Sequence, residues 1–101
     1  MINVTRKDYA LTVAGHAGFA AKGEDIVCAA ASMLFYTLTN TLMRMGIVLS
    51  TNEDAGHAIT AEAHPPAQFT FDADVVFNTI CTGYMLLADA HPEHVTFTDE
   101  S

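Results

Sequence analysis

A chain of 101 residues, 50% hydrophobic and 16% charged, has the size and composition of one domain and can bury about two thirds of the surface its unfolded form exposes. With 12 Asp and Glu against 4 Lys and Arg, the net charge of -8 argues against direct nucleic-acid binding, which needs a basic footprint, and favours encounter with a basic protein. The richest apolar stretch is interrupted by Thr37, Thr39, Asn40 and Thr41, so no membrane span is expected, and the N-terminus reads as a strand and not as an export signal, so the expected compartment is the cytoplasm.

Ile2 to Thr5 alternates apolar and polar, and after Arg6-Lys7-Asp8 a second alternation groups Tyr9, Leu11 and Val13. This predicts an antiparallel hairpin. It leads into Gly15 to Glu24, a loop punctuated by Gly15, Gly18 and Gly23 and carrying His16. Such a composition permits movement, as expected of a loop that closes on a substrate, and is equally that of a loop that is merely small and tight.

After Gly23-Glu24-Asp25 comes a run free of Gly and Pro through Met45. Asp25 as N-cap would accept from an orphan amide, and Cys28 would then fall in the first turn. Unpaired amides and the positive end of the dipole favour a thiolate there and offer donors to an oxyanion. His16, brought back over the helix end by the glycines, would serve as base toward the thiol and as acid toward a leaving amine. Spacing alone does not establish this, because a cysteine ahead of Ala29-Ala30-Ala31 on an apolar helix is more often core than catalyst.

From Ile26 to Met45, Val27, Ala31, Leu34, Leu38, Leu42 and Met45 recur at helical spacing and Gly46 stops the helix. Met33, Phe35 and Tyr36 widen the stripe, consistent with core, a dimer contact or an apolar substrate groove. Ile47-Val48-Leu49 reads as a strand, Asn52 to Gly56 as a turn, and His57 to Ala63 as the antiparallel partner, ended by Pro65-Pro66. Gln68 to Phe71 reads as a further strand. Asp72 or Asp74 is placed to cap a second helix bearing Val76, Phe77, Ile80, Tyr84, Leu87 and Ala88, with Gly83 permitting close approach and His91-Pro92 closing it. Val95 to Phe97 predicts one more strand before a frayed acidic tail. The predicted class is α+β: a single domain with a mostly antiparallel sheet and both long helices on one face.

Cys81 sits among core positions, and two cysteines on separate helices of a cytoplasmic chain are expected to be thiols. His57, His64, His91 and His94 form no recognisable ligand set, so no metal is expected. Phosphate-cradling glycine motifs and a G-x-S-x-G elbow are absent, and no cofactor is expected.

The string Gly15-His16-Ala17, a short variable loop, then Gly23-Glu24-Asp25-Ile26-Val27-Cys28-Ala29-Ala30-Ala31-Ser32 resembles the signature of the ribosomal-processing cysteine protease family, Prp. Weaker similarity runs over most of the chain. The resemblance implies a cytoplasmic homodimeric endopeptidase that removes a short N-terminal extension from large-subunit ribosomal protein twenty-seven, cutting after an aromatic pair. By that resemblance Cys28 is the nucleophile and His16 the histidine, Asp25 matches the motif acid, and Ser32 matches a supporting hydroxyl. The competing hypothesis is a non-catalytic module that holds a peptide or ribosomal partner with the same loop and helix groove, Cys28 being packing.

Overall fold

The computed structural model describes residues 1–15, 22–54 and 58–101, with the side chains of 22–25 outside that description. The elements run β1 Ile2–Lys7, β2 Ala10–Ala14, α1 Lys22–Arg44, β3 Val48–Glu53, β4 Ile59–His64, a 3-10 turn Ala67–Phe69, α2 Thr70–Ala90 and β5 Val95–Asp99. The strands form one sheet in the order β3-β4-β2-β1-β5. Every pairing is antiparallel except β1 with β5.

Register decides which face is covered. Pairings Ile2↔Val95, Val4↔Val13, Arg6↔Leu11, Leu11↔Ala61 and Leu49↔Ala63 put these residues on one face. Of these, Ile2, Val4, Arg6, Leu11, Ala61, Ala63 and Val95 are buried. The other face carries Thr5, Thr12, Thr60, Glu62 and Thr98, none of them buried. Thr12 and Thr60 share a hydroxyl hydrogen bond of 2.9 Å across it. A sheet with apolar residues on one side only takes its helices on that side, where Val27, Ala31, Phe35, Leu38 and Leu42 of α1 and Phe77, Ile80, Cys81 and Tyr84 of α2 complete the core.

The helices meet closely where Gly83 faces Leu34: a Cβ at Gly83 would stand 2.7 Å from Leu34 Cδ2. Beside this contact the fully buried Tyr84 donates its hydroxyl to the Ala31 carbonyl at 2.8 Å. Burial holds that phenol well above the usual tyrosine value of 10.0. A raised value in the fold means that the stabilisation is fully present below the unfolded tyrosine's pKa and declines as pH rises above it. We therefore expect unfolding free energy to fall above pH ~10. Tyr84→Phe should remove part of that slope while costing about 0.5–1.5 kcal/mol near neutrality, measured by urea denaturation at several pH values.

Four expectations change. Gln68 to Phe71 is not a strand: Pro66 opens a 3-10 turn in which the Phe69 amide donates to the Pro66 carbonyl at 2.9 Å, and Thr70 continues directly into α2. Accordingly neither Asp72 nor Asp74 caps α2; Asp72 lies in its first turn, where a carboxylate still meets the positive helix end. Asp25 is not the cap of α1, which begins at Lys22 and takes in Gly23, Glu24 and Asp25. Acidic residue types in a first turn suit the dipole, and one glycine there costs only about 1 kcal/mol. Finally, Ile26–Arg44 is long and apolar enough, at mean hydropathy 1.5, to cross a membrane by length and composition, its threonines notwithstanding. Within this fold its apolar positions Val27, Ala31, Leu38 and Leu42 are instead buried against the sheet and α2.

Candidate active site

β2 ends at Ala14, and Gly15 follows with φ +84, in the left-handed region that favours glycine. A side chain there would also collide with the Met1 carbonyl, so this glycine is required twice over. It sets the backbone turn at the end of β2. His16 and Gly18 lie outside the described residues, as do the side chains of 22–25. Gly23 and Asp25 are the second and fourth residues of α1.

Cys28 is half-buried on α1 and packs against the core. Because the helix starts at Lys22, Cys28 is its seventh residue, roughly 9 Å along the axis from the first. Its amide lies beyond the orphan donors of the helix end, so the expected first-turn position and its ready-made oxyanion donors are not what the fold provides. Ser32 stands one turn further along the same face, exposed.

A slot begins one turn along α1 from Cys28. Ala31, Ser32, Phe35 and Tyr36 of α1 face Val13 of β2 and Ile59 of β4 across a cavity of ≈ 70 Å³. Residues 28, 31, 32 and 35 share one helix face, so the slot continues the line of the cysteine. Its lining is apolar apart from the Ser32 and Tyr36 hydroxyls. Of the residues that widened the α1 stripe, Phe35 is buried, whereas Met33 and Tyr36 are exposed at 66% and 56%.

Sequence reasoning did not connect Val13 and Ile59 to this site. Val13 was visible as an inward position of β2, but its opposition to Ile59 is a matter of β2–β4 register. Cys28 and Cys81 are both thiols, and Cys81 is buried under α2 as expected of core. Among the described residues no three His, Cys, Asp or Glu side chains gather to hold a metal.

The family model for cysteine protease Prp matches residues 1–96. The ribosomal processing cysteine protease Prp of Mycoplasma pneumoniae is 30% identical over 100 residues, covering 99% of this chain and 96% of the relative. In fold the chain is similar to S. aureus Prp, an essential ribosomal processing protease crystallised with a substrate peptide, at TM-score 0.83 and 18% identity over 99% of this chain and 100% of that one. It is also similar to SMU.848 from Streptococcus mutans, at TM-score 0.76 and 27% identity over 97% and 90% of the two chains. With a family match that takes in β1 to β4, both helices and the start of β5, the chain belongs to the Prp family of cysteine proteases.

Proposed function

We propose that this cysteine protease removes the N-terminal extension of large-subunit ribosomal protein twenty-seven, cutting after an aromatic pair, with Cys28 as nucleophile and His16 as its base. The observation that carries the reading is the half-buried Cys28 thiol placed in line with the apolar slot of Val13, Ala31, Phe35, Tyr36 and Ile59. The slot supplies a place for an apolar side chain next to the scissile bond. Further support comes from the relatives: the Mycoplasma protein is named as a ribosomal processing protease, and S. aureus Prp has been crystallised with a covalently linked product peptide.

In the proposed reaction His16 takes the thiol proton and the Cys28 sulfur attacks the main-chain carbonyl carbon, forming a C–S bond. Collapse of the tetrahedral adduct breaks the C–N bond as His16 protonates the leaving amine. Water, deprotonated by the same imidazole, then cleaves the thioester, which releases the carboxylate product and restores the thiol. Asp25 and Ser32 support this pair. The enzyme acts as a cytoplasmic homodimer, for which the exposed Met33 and Met43 on α1 supply apolar surface.

The test is mass spectrometry of the protein incubated under reducing conditions with a peptide spanning the extension and its junction. A single cut after the aromatic pair is expected. No cut by a folded protein that still binds the peptide would sink this substrate assignment.

A further inference from the structure

A second concavity, ≈ 600 Å³, lies between α2 and the edge strand β5, lined by Asn78, Cys81, Thr82, Met85, Ala88 and Asp89 of α2, Phe97 and Asp99 of β5, and Arg6. It is separate from the Cys28 site. At 100° per residue, positions 78, 82, 85 and 89 lie about half a turn round α2 from Gly83 and Val76, and it is Gly83 that meets α1. The catalytic slot is on the α1 side of the molecule and this cavity is on the far side of α2.

Its chemistry is mixed in a specific way. Met85, Ala88 and Phe97 form an apolar wall, while Asp89 and Asp99 bring carboxylates. Among the described residues Arg6 is the one cation in the lining, and its charge is directed inward. The guanidinium is buried, lies over the Phe77 ring at 5.4 Å, donates from Nε to the Asp8 carbonyl at 3.0 Å and from Nη1 to the Asn78 side-chain carbonyl. Its nearest approach to Asp99 is only 4.0 Å, and Asp99 is itself 45% exposed in its side chain. Asp99 is held ionised below the usual carboxylate range, chiefly by the Ser101 amide, which donates to it at 2.9 Å. A carboxylate ligand would thus meet two like charges and an arginine already engaged. A basic side chain meets Asp89, an Asp99 carboxylate shared at 4.0 Å with the inward-held Arg6, and an apolar wall for its methylenes, a net negative arrangement that suits lysine or arginine. The net charge of -8 attracts a basic partner from a distance, and the free edge of β5 lets an extended segment run alongside.

We propose that the α2–β5 cavity is a second docking site for the protein substrate, binding a lysine or arginine side chain from a segment outside the cleavage junction, with the cationic head between Asp89 and Asp99 and the stem on Met85 and Phe97. The occupant rests on the ribosomal-protein reading, since ribosomal proteins are rich in lysine and arginine; the site rests on the cavity.

Two measurements separate these. In the first, a fluorescein-labelled lysine-rich decapeptide without a cleavage junction is titrated by anisotropy into the wild type, Asp89→Lys, and Glu62→Lys. The last makes the same charge change on the open sheet face, where Glu62 is exposed. Asp89→Lys should weaken binding about tenfold or more and Glu62→Lys no more than about twofold, as a local contact differs from a screened long-range field. Equal effects of the two variants, or none, would overturn the site.

In the second, cleavage is followed on junction peptides carrying a lysine-rich or an alanine-rich downstream segment. Asp89→Lys should raise KM about tenfold for the first only, with kcat unchanged. An unchanged KM beside lost decapeptide binding would overturn the substrate as occupant. Failure of the wild type to cut either peptide would count against the protease's assigned substrate, which the anisotropy experiment does not depend on.

Discussion

Cys28→Ala is expected to lower kcat by about 10⁴-fold or more, because no C–S bond can form and only binding and any oxyanion contacts remain to assist hydrolysis by water. Binding of the junction peptide should be retained, since the slot is walled by Val13, Ala31, Phe35, Tyr36 and Ile59 and not by the sulfur. The fold should also be retained: Cys28 is only half-buried, and alanine is the better helix former within α1. Calorimetry would check that Tm moves by no more than a few degrees, roughly the effect of 0.5 kcal/mol in a domain of this size. His16→Ala should lower kcat by about 10²–10⁴ with little change in KM, as expected for loss of proton transfer. Undiminished cutting by folded Cys28→Ala would remove Cys28 as nucleophile. Loss of peptide binding in step with turnover would argue that the sulfur serves the slot.

Phe77→Ala is expected to be the most damaging single core substitution, at about 3–5 kcal/mol. Its ring is fully buried, meets Tyr9 edge-on at 5.9 Å and lies beneath the Arg6 guanidinium. The change opens a cavity and removes the aromatic face against which a buried cation is held, so two costs arise at one position. In a domain with about 5–15 kcal/mol in total, that is roughly a fifth of the stability or more. At roughly 4–8 °C per kcal/mol, Tm should fall by at least ~12 °C. A shift of under about 4 °C would mean that neighbouring side chains close the space, and that Arg6 is held mainly by Asn78 and the Asp8 carbonyl.

The helical stripes of α1 and α2 were legible because side chains three and four apart share a face whatever the helix packs against. Leu38, Leu42, Phe77 and Tyr84 are accordingly buried as their spacing implied. Helix beginnings were not legible. Gln68 to Phe71 alternates like a strand, yet Phe69 reaches the core from a 3-10 turn set by Pro66, so tertiary burial prevailed over local pattern. At α1 an acidic pair after glycine suits either a cap or a first turn, and that ambiguity moved Cys28 from the first turn to the second.

The sequence by itself determined the class, the hairpin and helix order, and the motif from Gly15 to Ser32 with its thiol, because these rest on local periodicity and on residue identities in a short string. Only the tertiary structure decided that β5 lies parallel beside β1, that Val13 and Ile59 face Phe35 two turns along α1 from the cysteine, and that Arg6, Asp89 and Asp99 line one cavity. Those residues lie far apart in the chain. Their meeting depends on strand order and register, which no local pattern carries.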